Sequence, residues 1–172
     1  MTPCLIGIAG SSGSGKTSLI ERLAPMLKDR GFRIGVVKHA HDRLDLDRPG
    51  KDSWRYLKAG AEVAAVVGPR QLMVMITASG GNPFHEALSA LPPGLDLVFV
   101  EGFHDAACPK ILVAGRDGKV RGGAARRRFR TGEIRRMAAW IEKEWMTRWE
   151  TSYRPRRAIG RRPQQASSSA EG

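Results

Sequence analysis

The stretch Gly10-Ser-Ser-Gly-Ser-Gly-Lys-Thr17 constrains this chain more than any other feature. It lies between a short apolar run, Cys4-Leu-Ile-Gly-Ile-Ala9, and a helical pattern that begins at Lys16. An apolar run ended by glycine suits a buried parallel strand. Leu19, Ile20, Leu23 and Leu27 share one helical face, Pro25 can bend the helix, and Gly31 can stop it. The spacing G-x-x-x-x-G-K-[ST], in strand–loop–helix order, is that of a loop built to hold phosphates. Gly10, Gly13 and Gly15 are expected to adopt positive φ and curl backbone N–H groups around an anion. The helix N-terminus adds its partial positive charge. Lys16 supplies a point charge for the outer phosphates, and the Thr17 hydroxyl is a ligand for Mg²⁺. Gly10, Ser11, Ser12, Gly13, Ser14, Gly15, Lys16, Thr17 and Ser18 are therefore the candidate residues for a nucleoside triphosphate.

Such a site also needs a carboxylate at the end of a neighbouring strand, to hold the metal or its water. Asp96-Leu-Val-Phe-Val-Glu101-Gly102 offers Glu101, which ends an apolar run before a glycine turn. Lys16 and Glu101 are the candidate catalytic pair, and Thr17, Glu101 and Asp47 the candidate metal-side residues. Asp96 opens the strand at the end away from any ligand, so it reads as structural.

Residues 38–52 follow a second strand, 33–37, and are dense in charge. Lys38, His39, His41, Asp45, Asp47, Gly50, Lys51 and Asp52 are the candidates there for a switch or a partner-facing loop. His39 and His41 stand two apart, as do Asp45 and Asp47, so each pair points one way in extended chain. Two histidines without a cysteine make a weak zinc signal. A long connection in a small domain usually carries function.

Strand candidates continue at 63–67, 72–77, 95–100 and 110–113, with a turn expected at Arg116-Asp-Gly-Lys119. Short helices are expected at 52–59, capped by Asp52, and at 84–91, and a last helix at 132–149. In that helix Ile134, Met137, Ala138, Ile141 and Trp145 form one stripe. Strands alternating with helices predict an α/β fold of the phosphate-loop NTPase type. It would be a three-layer sandwich whose mostly parallel sheet is covered by helices on both faces. Residues 1–150 are expected to form this domain. Residues 151–172, rich in Arg, Pro, Gln, Ser and Gly, read as a disordered basic tail.

Of the +12 net charge, residues 1–115 carry 13 basic and 11 acidic groups, net +2, and residues 116–172 carry 16 and 6, net +10. The excess therefore belongs to the C-terminal third and does not describe the phosphate loop. Arg126, Arg127, Arg128, Arg130 and the tail arginines could meet phosphates or an acidic protein. No nucleic-acid fold motif accompanies them, and nucleic acid is not the expected partner. Trp140, Trp145 and Trp149 are expected to pack rather than to stack on bases. No apolar run approaches the roughly 18 residues of a membrane span. The start lacks a basic region and cleavage site, and Cys4 and Cys108 cannot build a disulfide framework. A cytoplasmic protein is expected.

Taken together, Gly10 to Thr17, Val36-Val-Lys-His39, Asp45-Leu-Asp-Arg-Pro-Gly-Lys-Asp-Ser53, Ala59-Gly-Ala61, Val100-Glu-Gly-Phe103 and Pro109-Lys-Ile111 form a recognisable series. In this order and spacing they resemble the molybdopterin-guanine dinucleotide biosynthesis protein B (MobB) family, over about residues 4–113. The resemblance implies a GTP-binding protein of the SIMIBI type, commonly a homodimer, using GTP and Mg²⁺. It implies an adaptor role beside the guanylyltransferase that joins GMP to molybdopterin, with molybdopterin itself a further partner, and at most a weak GTPase activity. Guanine rests on the resemblance, since no N-K-x-D motif occurs in the chain. Two other readings of the same residues are a small-molecule kinase using ATP, with residues 126–130 as a lid, and a GTP-dependent switch in which loop 38–52 orders on the γ-phosphate.

Overall fold

The computed structural model describes residues 2–40, 49–103, 105–106, 108–114, 127–130 and 132–146. The chain runs β1 (Cys4–Ala9), α1 (Lys16–Lys28), β2 (Ile34–Lys38), α2 (Asp52–Lys58), β3 (Val63–Val67), β4 (Leu72–Ile76), α3 (Pro83–Ser89), β5 (Leu97–Glu101), β6 (Lys110–Ala114), β7 (Arg127–Arg130) and α4 (Ile134–Trp140). A π-helix, Ile141–Met146, continues α4.

Five strands form one sheet in the order β2-β5-β1-β6-β7, and every pairing in it is parallel. Alternation along the strands divides the core into two layers. Ile6 and Ile8 of β1, Leu97 and Phe99 of β5, and Ile111 and Val113 of β6 face α1 and α4. Val98 and Val100 of β5 and Val37 of β2 face the other way, against Phe84 of α3. β5 is buried along its whole length, which is why its sequence reads as an unbroken apolar run. Helices thus cover both faces, as the sequence predicts.

From β1 the chain crosses through α1 to β2 on one side, while β6 is followed by β7 on the other. Ligands in open parallel sheets bind where connections diverge in this way, outside the carboxyl ends of the strands. Here that point lies between β1 and β6. At the opposite end of the sheet Arg33 N–H donates to Asp96 Oδ2 at 2.7 Å, and Asp96 N–H donates back to Arg33 O at 2.8 Å. Asp96 is therefore structural, and it pins the start of β5 beside β2.

α1 ends as expected: Gly31, at φ 92°, lets its N–H reach Lys28 O while Phe32 N–H reaches Leu27 O. Pro25 sits inside α1 without ending it. The buried stripe Ile134, Met137, Ala138 and Ile141 also matches, whereas the Trp145 side chain lies outside what is described. An ion pair at 2.7 Å between Arg30, in the turn just after α1, and Glu142 of the π-helix ties the two elements together.

Three local expectations need correction. β3 and β4 do not join the main sheet; they form a separate antiparallel ribbon closed by Gly68 N–H donating to Gln71 O. The turn expected at residues 116–119 lies outside the described residues. Asp52 lies in the first turn of α2 and makes no side-chain cap, the residue before the helix being Lys51. Of the helix expected over 132–149, Ile134–Trp140 is α-helical and Ile141–Met146 is a π-helix, while residues 147–149 lie outside the described residues. The side-chain cap occurs at α3, where Asn82 Oδ1 accepts from Phe84 N and His85 N. Residues 151–172 lie outside the described residues.

Candidate nucleotide site

The glycine loop joins β1 to α1 at the carboxyl edge of the sheet. Gly13 has φ 70° and Gly15 φ 86°, as the phosphate-cradle reading requires. Gly10 serves differently from the expectation, because it has no positive φ. A Cβ there would lie 2.6 Å from Ser14 Oγ and 2.9 Å from the backbone oxygen of Val113. The requirement at Gly10 is close approach of the loop to β6. Gly10→Ala should cost about 1–3 kcal/mol of stability, lowering the melting temperature by roughly 2–10 °C. An unchanged melting temperature by differential scanning calorimetry would show that the loop relaxes freely.

Lys16 Nζ donates to Gly10 O at 3.1 Å and to Ser11 O at 2.8 Å, so its ammonium lies over the loop it belongs to. Gly15 precedes α1 and offers no side-chain cap, which leaves the first N–H groups of the helix for an anion. Ser14 is 6 % exposed, and among the described residues its hydroxyl has no hydrogen-bond partner. Ser11, Ser12 and Ser18 are on the exposed side of the loop.

Glu101 closes β5 and is 7 % exposed. Thr17 Oγ1 lies 3.3 Å from both of its carboxylate oxygens. Two hard oxygen ligands from residues far apart in the chain thus meet beside Lys16, an arrangement that suits Mg²⁺. Of the loop candidates, Lys38 stands opposite Glu101 in the β2–β5 register. His39 N–H donates to Glu101 O at 2.8 Å. Gly102, at φ 85°, is required here because a Cβ would lie 2.9 Å from His39 O. His39 and Phe103 then lie ring against ring, 4.9 Å between centroids. Gly50, Lys51 and Asp52 lead into α2, with Asp52 facing Arg55 at 3.8 Å. His41, Asp45 and Asp47 lie outside the described residues. Among the described residues no cluster of His, Cys, Asp and Glu could hold a metal by itself.

Sequence reasoning gave no role to Gly7, and named Phe103 and Lys110 only within the series that carries the resemblance. A glycine inside the apolar run of β1 was the available signal. A Cβ on Gly7 would lie 2.8 Å from Lys110 Cγ and 3.2 Å from Cys108 Sγ, so both side chains cross the strand there. Burial pushes the Cys4 thiol up to about 11, leaving it a protonated core group. Burial also raises Cys108, against the opposing pull of the Lys110 ammonium. Both cysteines are free.

The family model of molybdopterin guanine dinucleotide synthesis protein B matches residues 5–124. The chain belongs to this family. It is 40 % identical over 114 residues to the molybdopterin-guanine dinucleotide biosynthesis adapter protein of Haemophilus influenzae, covering 63 % of this chain and 62 % of that one. It is 39 % identical over 121 residues to the adapter protein of Escherichia coli, covering 66 % of each. The chain therefore spans somewhat under two thirds of the length of these relatives. A crystal structure of molybdopterin-guanine biosynthesis protein B superposes with a TM-score of 0.62 at 29 % identity, covering 81 % of this chain and 99 % of that one. In this MobB-family chain the fold is thus of the phosphate-loop NTPase-like α/β type, and the candidate site occupies the carboxyl edge of its parallel sheet. Among the described residues no helix is long and apolar enough to cross a membrane.

Proposed function

We propose that this chain binds GTP·Mg²⁺ and acts as a cytoplasmic adapter in the synthesis of molybdopterin guanine dinucleotide, assisting the guanylyltransferase that attaches GMP to molybdopterin. The observation that carries the nucleotide reading is the meeting of Thr17 with Glu101, 3.3 Å apart, at the mouth of the glycine loop. Gly13, Gly15 and the N-terminus of α1 would hold the phosphates, with Lys16 on the outer ones. Thr17 and Glu101 would hold Mg²⁺, which shields the charge that the phosphates gather. The adapter role is drawn from the names of the relatives.

The kinase reading loses support from the fold. Arg127 to Arg130 pair with Ile111 to Ala114 as an edge strand, and a strand held in register is a poor lid. The switch reading keeps one favourable observation, since His39, where loop 38–52 begins, is bonded to the backbone of Glu101. A metal-side change at Glu101 would reach that loop directly.

Calorimetric titration of GTP, GDP and ATP, each with and without Mg²⁺, tests the reading. Preference for GTP with a gain from Mg²⁺ is expected; preference for ATP would overturn the adapter assignment. Glu101→Gln should reduce the gain from Mg²⁺ by about tenfold or more, while affinity for GTP without Mg²⁺ stays close to that of the parent. A variant that still responds fully to Mg²⁺ would remove Glu101 from the metal side.

We also propose a homodimer, and the β3–β4 ribbon supports it. Val63, Ala65 and Val67 stand opposite Ile76, Val74 and Leu72 on one face. Every residue of that ladder is apolar and exposed, Val67 by 78 % and Leu72 by 64 %. A two-stranded ribbon is marginal alone, and an apolar face of this kind marks an interface. A second copy presents the same uncharged ladder and is its natural complement.

A further inference from the structure

β2 lies beside β5 in parallel register, with Ile34 opposite Leu97, Val36 opposite Phe99 and Lys38 opposite Glu101. Side chains paired in this way leave the sheet on the same side, and alternation along the strands fixes which side it is. Leu97 and Phe99 face α1, with Ile34 packed among them, whereas Val37, Val98 and Val100 face α3. Glu101 is therefore on the α1 face, as its contact with Thr17 shows, and Lys38 is on that face beside it. Adjacent strands stand about 4.8 Å apart, a span that the flexible four-carbon stem of a lysine covers. This part of the α1 face is open, since Val36 and Lys38 are both exposed. Glu101 bonds Thr17 and forms no ion pair with Lys38. Among the described residues the Lys38 ammonium has no ion-pair or hydrogen-bond partner, whereas that of Lys16 is held by Gly10 O and Ser11 O. Across the carboxyl edge of the sheet the order is thus Lys38, Glu101, glycine loop.

We infer that Lys38 is a specificity-determining residue of this site, its ammonium binding the terminal phosphate of the triphosphate and so separating GTP from GDP. The inference rests on the nucleotide reading proposed above and deepens it. The N–H groups of the loop and of the start of α1 take the phosphates nearest the loop, and the metal at Thr17 and Glu101 bridges β- and γ-oxygens. The terminal phosphate lies beyond the cradle on the metal side, and Lys38 is the cation next to Glu101 there. Glu101 brings a negative charge of its own to that end, so an anion placed there needs a cation close by. An ammonium meets this need through charge-assisted hydrogen bonds. Lys38 is also the last residue of β2, so a phosphate held there fixes the point at which the chain leaves the sheet.

The test titrates GTP·Mg²⁺ and GDP·Mg²⁺ into the purified full chain and into Lys38→Gln and Lys38→Met, with a thermal melt of each. In these neutral variants affinity for GTP·Mg²⁺ should fall by about tenfold or more, while affinity for GDP·Mg²⁺ changes by less than about twofold. Lys38 is exposed, so both variants should melt close to the parent, and the result is read from whichever does. Equal loss on the two nucleotides would overturn the inference, by making Lys38 part of a general positive field. Unchanged GTP binding would overturn it by returning Lys38 to solvent or to a partner. A melt lowered by many degrees in both variants would overturn it too, since Lys38 would then be structural. A parent that binds no GTP·Mg²⁺ removes the nucleotide reading itself. A parent and variants that bind it alike sink only the role of Lys38.

Discussion

Lys16→Ala should weaken nucleotide binding by at least about 100-fold, equivalent to ~3 kcal/mol for lost charge-assisted contacts, with a melting temperature close to that of the parent. The asymmetry follows from what Lys16 touches. Among the described residues its ammonium donates to Gly10 O and Ser11 O, carbonyls of its own loop, and it belongs to neither core layer. Both carbonyls can be hydrated when the ammonium is removed, and alanine is a good residue for the first turn of α1. A bound triphosphate would draw the ammonium outward, from two neutral acceptors to charged ones. Titration of the variant with GTP·Mg²⁺, beside a thermal melt, separates the two effects. Binding like the parent's would mean that the loop does not hold phosphate. A melt lowered by many degrees would mean that Lys16 is a structural clasp.

The second large effect concerns assembly. Val67→Glu combined with Val74→Glu puts like charges on the exposed ladder of the ribbon, at positions 78 % and 49 % exposed. Neither side chain belongs to a core layer of the protomer, so folding should be retained. Burying two charges against an apolar face of a second copy, without partners, costs several kcal/mol. Light scattering after size exclusion should give about twice the 18.8 kDa chain mass for the parent and the single mass for the variant. A parent that runs as a monomer at ~50 μM, a concentration at which any interface tighter than micromolar is occupied, would overturn the homodimer. A variant that stays dimeric would move the interface elsewhere.

The fold was legible wherever one sequence period matched one structural need. The run 97–101 was readable because β5 is covered on both faces, and Leu19, Ile20, Leu23 and Leu27 because α1 is covered on one. The site was legible for a related reason: a phosphate loop is local, and Gly13, Gly15, Lys16 and Thr17 need only their neighbours to take shape. Pairing was not legible. Val63–Val67 and Leu72–Ile76 look like core strands because they are β-branched and apolar, yet their ribbon leaves that surface exposed. Propensity cannot tell a core strand from an interface strand. Arg127–Arg130 looks like a solvated basic patch, but its backbone completes the sheet edge and Phe129 packs against Trp140 at 5.8 Å. The role of Gly10 was misjudged because crowding by Val113 O depends on a strand about a hundred residues away.

The separation between the two halves of the site has a consequence for how the protein is made. β1 and the glycine loop leave the ribosome before β5 and β6, the strands that flank β1 in the sheet, and Thr17 meets Glu101 across 84 residues of chain. At a synthesis rate of about 5–20 residues per second, the loop would wait roughly 4–17 s for its acidic partner. During that interval β1 has neither of its sheet neighbours, and its apolar residues are open to misassociation. Nucleotide and metal can reward only the closed sheet, so cofactor supply should favour completion of folding over lingering in the partly made state.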